Sequence, residues 1–179
     1  MASFGLAQSD STANSTGVHD DKDPVDMATI FSAVSEGNLA LLQSSMTLLN
    51  FPIATADQNG YTLLHAASSY NQLGILQFIL NNLDTNNINC TTYINAGDTD
   101  GDTALHYAGS ADAANFLVQH FRINTTIVNS LGKTALQTKE AELDEMKNDE
   151  DIEDDDEEIE VTKKLISYLQ HINVSQTSM

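Results

Sequence analysis

The sequence predicts an all-α solenoid of about four helix pairs joined by short β-hairpin fingers. The main observation is a phrase that occurs three times, in residues 59–67, 100–108 and 131–137, with its glycine recurring at spacings of 41 and 31 residues. Such spacings bracket a period of roughly 33 residues, which is typical of helix-pair repeats that bury a shared core by stacking. A fold of this kind builds binding surfaces rather than catalytic centres.

Each phrase has the chemistry of a tight turn followed by a capped helix. Its glycine tolerates positive φ where the chain leaves the finger. Thr62, Thr103 and Thr134 are then placed to accept a hydrogen bond from an otherwise unpaired amide in the first helical turn. His65 and His106 follow their threonines by three residues, within reach of the hydroxyl. We therefore assign structural capping roles to these five residues.

Apolar residues at helical spacing complete the helix pairs in chain order. The segments that carry them are 30–34 and 39–42 for a first, fingerless capping unit, 62–80 for the second unit, 116–118 for the third and 165–169 for the fourth. The third unit has a shortened turn at residues 109–112. Two segments exceed the spacing of the repeat: 81–94, predicted to be an enlarged loop, and the acidic insertion at 140–160.

The repeated phrases resemble the ankyrin-repeat family from about Asp26 to His171. The resemblance rests on Gly60-Tyr61-Thr62 with His65-Ala66-Ala67, and on the matching residues 100–108. The chain departs from the family pattern at positions 63, 104 and 135, where the family has proline, and at position 137, where Gln replaces His and predicts a weaker last cap. The resemblance implies a non-catalytic protein–protein interaction module whose concave face, made of fingertips and first helices, binds the partner.

The net charge of −19 is unevenly distributed. Residues 140–160 carry 14 acids and one base, and the stretch from Asp23 to Phe121, both included, holds nine acids without a Lys or Arg. Nothing in that stretch would neutralise phosphates, so nucleic acid and anionic membranes are not expected as ligands. A protein partner, favoured electrostatically to be basic, is the prediction.

The candidate partner contacts lie on the fingertips and on tyrosines beside them. The candidates are Asp57, Asn59, Tyr61, Tyr70, Asp98, Asp100, Tyr107 and Ser130. Tyrosine is enriched among interface hot spots, which favours contacts with a partner. The alternative for each tyrosine is that it covers the edge of a neighbouring repeat.

No catalytic, cofactor or metal site is predicted. The run of aspartates from Asp98 invites a calcium interpretation, but an EF-hand loop would need Gly and Glu where Thr103 and Gly109 stand. Cys90, the only cysteine, is placed in a polar loop and has no base nearby in sequence. Its isolation fits a reducing compartment.

The predicted organisation is a disordered tail at residues 1–24, one domain at 25–172 and a disordered end at 173–179. No secretory signal or membrane span is visible, so we expect a monomer of the cytoplasm or nucleus. Two functions remain open at this point. One is an interaction module that uses its concave face, and the other is a regulator or assembly chaperone that masks a basic protein through the acidic insertion. The insertion could equally be a solvated linker.

Overall fold

The computed structural model of the chain describes residues 26–83, 88–148 and 156–177. The helices of these segments are α1 (Met27–Ser35), α2 (Leu39–Leu49), α3 (Leu63–Ser69), α4 (Leu73–Asn82), α5 (Ile88–Ile94), α6 (Ala111–Phe116), α7 (Ala135–Asn148) and α8 (Glu157–Thr177). Contacts join α1 to α2, α3 to α4 and α7 to α8 as pairs, and α1 to α3 as neighbours in the stack. The predicted architecture of stacked helix pairs is confirmed.

Side-chain hydrogen bonds cap α1 and α2, and another side-chain hydrogen bond links the second unit to the first. Asp26 accepts the amide of Thr29 at 2.8 Å and so caps α1, while the Asn38 side chain accepts the amide of Leu41 at 3.0 Å and caps α2. The Gln72 side chain, at the start of α4, donates to the Ser35 carbonyl at 2.8 Å. The second helix pair is therefore held to the end of α1 by a hydrogen bond as well as by apolar packing.

The third unit has a short hydrogen-bonded turn at residues 104–107 in place of a full first helix. Its backbone is used for contact with the preceding repeat: the Gly109 amide donates to the Ser68 carbonyl at 3.1 Å, and the Ser68 hydroxyl donates to the Ala104 carbonyl at 2.7 Å. A Cβ at position 109 would collide with the Ser69 carbonyl oxygen. The chain then enters α6, which continues as a π-helical turn at Leu117–Phe121.

The prediction of an enlarged loop at residues 81–94 is wrong over its second half. Helix α5 occupies that half, and Cys90, Tyr93 and Ile94 on it are buried in the core. The Tyr93 hydroxyl donates to the Ile53 carbonyl at 3.2 Å, and burial raises the pKa of Tyr93 to about 12. The placement of Cys90 in a polar loop is wrong for the same reason. The segment is an additional core helix inserted before the second finger.

The fourth unit contains two ordered helices on either side of the acidic segment. Helix α7 runs to Asn148, as the helix-forming composition predicts, and α8 begins at Glu157 with Ile159 buried two residues later. The run of like charges at residues 149–158 predicts disorder by mutual repulsion. Residues 149–155 lie outside the described segments, but Asp156 accepts the amide of Glu158 at 2.9 Å at the start of α8. Acidic residues suit this position because the N-terminal end of a helix carries partial positive charge.

The C-terminal half of α8 closes the stack. Leu165 and Leu169 are buried, as predicted, and α8 contacts both α6 and α7. The helix extends to Thr177, beyond the domain end predicted at residue 172. The predicted N-terminal tail, residues 1–24, lies outside the described segments.

Candidate binding surface

Three fingers share one hydrogen-bonding scheme. Asp57 Oδ1 accepts the amides of Asn59 and Tyr61, both at 2.8 Å, and closes the first finger. Asp98 Oδ1 does the same in the second finger at 2.9 and 3.0 Å, and Asn129 Oδ1 in the third at 3.1 and 3.0 Å. The sequence predicts that Asp98 helps to close the turn, and its carboxylate does so as the acceptor of both amides, in a role that an uncharged Asn fills equally well.

The fingertips stack on each other through the backbone. The Thr99 amide donates to the Asn59 carbonyl at 2.8 Å, and the Ser130 amide donates to the Asp100 carbonyl at 2.8 Å. The Ser130 hydroxyl donates to the same Asp100 carbonyl at 2.6 Å. Gly60 has φ of +78°, and a Cβ there would lie 3.1 Å from Asp98 Cα, so only glycine fits without strain. The predicted residues Asn59, Asp100 and Ser130 thus occupy one continuous edge.

The two histidines join each cap to the next finger. His65 Nδ1 accepts the Thr62 amide at 3.1 Å and lies 2.8 Å from the Thr62 hydroxyl, while Nε2 lies 3.0 Å from the Asp102 carbonyl. His106 repeats the pattern with Thr103 and, through Nε2, with the Lys133 carbonyl at 3.1 Å. Because Nδ1 accepts and Nε2 donates, each ring fits in its neutral form. Burial lowers the pKa of His65, which favours that form.

The cap at Thr134 makes its local hydrogen bonds, but it has no link to a following finger among the described residues. Gln137 Oε1 accepts the Thr134 amide at 2.9 Å, and Thr134 Oγ1 in turn lies 3.4 Å from the Gln137 amide, as in a capping box. The expected weakness of this cap is therefore not a missing local hydrogen bond. His65 and His106 use Nε2 to reach the following finger, and Gln137 has no equivalent ring nitrogen.

A cluster of aromatic rings lies beside the fingers. Tyr61 is the centre: its ring centroid is 5.9 Å from that of Phe31, 5.4 Å from that of His65 and 5.1 Å from that of Tyr107. Burial raises the pKa of Tyr61 to about 12. Tyr61 and Tyr107 are half-buried, so both cover neighbouring repeats.

Tyr70 is the mostly exposed member of the three predicted tyrosines, with 57% of its surface accessible. It stands at the end of α3 and, with Tyr61, borders an open groove of about 480 Å³ between α1 and α3. The remaining lining residues of this α1–α3 groove are Phe31, Ser32, Ser35, Asp57 and Ala66. Phe31 was not among the predicted contacts, although its place on α1 follows from the helical spacing of the first unit.

We call the three fingertips together with the α1–α3 groove the finger face. It contains all eight candidate contacts except Tyr107, whose hydroxyl donates to Asp98 Oδ2 at 2.7 Å beneath the second finger. Burial is the first cause of a raised Tyr107 pKa, and the Asp98 carboxylate adds to it. The finger face is thus acidic and aromatic.

Clusters of metal-ligating side chains and membrane-spanning helices are both absent from the described segments. These segments contain no group of three or more His, Cys, Asp or Glu side chains that could hold a metal ion. No helix in those segments is both long and apolar enough to cross a membrane.

Comparison with known proteins agrees with this geometry. Residues 59–93, which run from the first fingertip into α5, match the family model described as Ankyrin repeat. The chain therefore contains an ankyrin repeat, and its stacked helix pairs have the ankyrin-repeat fold. Ankyrin repeats mediate protein–protein interaction, and the family is typically non-catalytic.

Two known proteins resemble this chain over more than half of its length. The chain is 31% identical over 112 residues to the ankyrin repeat-containing protein P1E11.10 of Schizosaccharomyces pombe; the match covers 63% of this chain and 50% of that protein, so the chain spans about half the length of its curated relative. A chain in the crystal structure of the yeast ribosomal protein Rps3 in complex with its chaperone Yar1 superposes with a TM-score of 0.58 and 25% identity, over 69% of this chain and 89% of that chain.

Proposed function

We propose that this ankyrin-repeat protein binds a basic segment of a protein partner on the finger face. The observation that carries the proposal is the combination of an aromatic groove with neighbouring carboxylates, in a stretch of chain that has no Lys or Arg between Asp23 and Phe121. Asp57 lines the groove and Asp100 is exposed at the second fingertip. Aromatic side chains and complementary charge are the usual sources of affinity and of fast association at protein interfaces.

A second candidate is an assembly chaperone that masks a basic protein through the acidic segment at residues 140–160. Its support is the similarity to a chain of the complex between Rps3 and its chaperone Yar1, together with the 14 acids of that segment. Asp156, Glu157 and Glu158 are exposed at the start of α8 and would form one border of such a surface. The two candidates share a basic partner and differ in which acids contact it.

Affinity purification with mass spectrometry separates the two candidates when it is performed with matched variants. A finger-face variant combines Tyr70→Ala with Asp100→Asn, and an insertion variant lacks residues 149–155. The finger-face proposal predicts that the first variant loses the partner and the second retains it; the chaperone proposal predicts the reverse. An Asp112→Asn variant, which neutralises an exposed carboxylate on α6, serves as the control for charge alone.

Loss of the partner in the insertion variant alone would overturn the finger-face proposal. Thermal unfolding of each variant must accompany the purification, because a variant that no longer folds would lose its partner for an unrelated reason. Tyr70, Asp100 and Asp112 are all exposed, so their substitution should move the unfolding midpoint little.

A further inference from the structure

We propose that the α1–α3 groove is a pocket for an arginine side chain of the partner. The inference rests on the proposed function, since it assigns the chemistry that the finger face recognises. Three features carry it: an aromatic wall, a carboxylate oxygen with no hydrogen-bond donor among the described residues, and a groove lining that contains no Lys or Arg.

The aromatic wall consists of Phe31, Tyr61 and Tyr70. The Phe31 and Tyr61 centroids are 5.9 Å apart with their planes tilted by 35°, so the two rings form a continuous surface. Tyr70 borders the same groove and is the most exposed of the three. A cation within about 6 Å of an aromatic face is attracted to it, and arginine is the cation that most often makes this contact in proteins.

The carboxylate is that of Asp57. Its Oδ1 atom accepts the two amides that close the first finger, whereas no described residue donates to Oδ2. The second finger shows the contrast, because there Oδ2 of Asp98 accepts the Tyr107 hydroxyl at 2.7 Å. The first finger therefore leaves one carboxylate oxygen available beside the groove where the second finger uses it internally.

No cation of the described chain competes for this site. The α1–α3 groove is lined by aromatic, small and hydroxyl side chains besides Asp57. Ser32 in the lining donates to Glu36 at 2.8 Å, which holds a second carboxylate near the border of the groove. The local field thus favours a positively charged group from outside.

Arginine fits these features better than lysine. Its guanidinium group is planar, stacks on aromatic faces and directs several N–H donors outward in its plane, so it can contact the tyrosine faces and Asp57 together. An ammonium group is compact and more strongly hydrated, and it cannot stack. We therefore expect discrimination between the two cations and against a neutral analogue of arginine.

The test is a backbone-amide NMR titration of the full chain with three capped tetrapeptides of arginine, lysine or citrulline. Citrulline keeps the planar shape of arginine but has no charge. We expect the arginine peptide to shift the amides of Ser32, Tyr61 and Ala66, the lysine peptide to bind about threefold more weakly, and the citrulline peptide to shift nothing.

Two variants locate the binding to the pocket. Asp57→Asn should weaken the arginine titration at the groove amides about three- to tenfold while preserving the finger, because Asn129 closes the third finger in the same way. Tyr70→Ala should have an effect of similar size, and Tyr70→Phe should restore most of the affinity. Asp112→Asn should leave the titration unchanged.

The titration distinguishes failure of the pocket from failure of the finger face. Shifts at the fingertips 98–101 and 129–132 without shifts in the groove would overturn the pocket and leave the proposed function standing. Shifts confined to the acidic border near residues 156–160 would contradict both. Equal affinity for the citrulline peptide, or no effect of Asp57→Asn, would also overturn the pocket.

Discussion

The second and fourth repeats begin with the same phrase but use it differently. In the second repeat, His65 caps α3 and also reaches the Asp102 carbonyl of the next finger. In the fourth, Gln137 closes the cap of α7 and reaches nothing further among the described residues. The difference shows that this position has two separable tasks, one within the repeat and one between repeats, and that Gln137 performs only the local task among the described residues.

The fingertips show the same difference. A Cβ at Gly60 would meet Asp98 of the following finger, whereas a Cβ at Gly132 would meet no atom within 4 Å. The third finger carries Leu131 at its tip, 77% exposed, where the others carry Asn59 and Asp100. The first and second fingers each pack against the finger that follows, whereas the tip of the third finger meets no such neighbour among the described residues.

The largest expected contrast is in the core. Leu76 on α4 is completely buried, and Leu76→Ala should lower the free energy of unfolding by about 2–5 kcal/mol. Leu143 on α7 is half-buried, and Leu143→Ala should cost less than half as much. Urea unfolding of both variants measures the contrast, and equal losses would mean that the terminal unit is packed as tightly as the central one.

The next contrast concerns the caps. Thr103→Val keeps the side-chain shape and removes the hydroxyl, which should cost about 1–2 kcal/mol because the residue is buried against His106. Thr134→Val should cost less, since Thr134 is half-buried and its Gln137 partner makes no link to a further finger. The thermal or urea unfolding midpoints of the two variants measure the two losses of stability. A larger loss at Thr134 would contradict the distinction.

A pH-dependent contrast should follow from His65. Burial lowers the pKa of His65, although the nearby Asp98 and Asp102 carboxylates oppose this. The unfolded chain, where the His pKa is about 6.5, then binds the proton first as pH falls, so stability is lost below that pH by at most about 1.4 kcal/mol per pH unit. His65→Gln should reduce this dependence.

The measurement is the difference between the urea midpoints at pH 7.5 and 5.5, taken for the wild type and for His65→Gln. Comparing the two proteins removes the contribution of the many carboxylates, which both share. Parallel midpoints across this range would mean that His65 accepts a proton without cost in the folded state.

The smallest expected effect is that of Asp57→Asn on stability. The third finger already has Asn129 in the equivalent position, where it accepts the same two amides. We expect a change within about 0.5 kcal/mol, measured by thermal unfolding. Asp57→Ala, which removes the oxygen that accepts both amides, is the informative comparison and should cost more. If Asn is as damaging as Ala, the charge itself is required to close the finger.

Local, short-range chemistry was predictable from the sequence. The Gly–Thr–His spacing predicts a turn, a cap and a side chain that returns to the cap, and all three involve residues within three or four positions of each other. The register of Asp57, Asp98 and Asn129, each three residues before its glycine, also identifies the acceptor that closes each finger.

Features that depend on distant neighbours were not predictable. Helix α5 lies in an Asn- and Thr-rich segment, and only the spacing of Cys90, Tyr93 and Ile94 by three and four residues marks its buried face. The short turn at residues 104–107 is followed by a backbone hydrogen bond from Gly109 to Ser68 that no local pattern encodes. The α1–α3 groove likewise joins Phe31 to Tyr61 across two repeats.

The histidine that spans two repeats has a consequence for how such a chain can grow. At this position Nδ1 of a histidine completes the local cap, and Nε2 reaches a carbonyl oxygen of the finger that follows, as His65 and His106 both show. A duplicated repeat of this kind would contain its own histidine, whose Nε2 would face a carbonyl oxygen of the next finger. Adding a whole unit would therefore lengthen the row of fingers, and with it the interaction surface, without requiring a new type of contact between units.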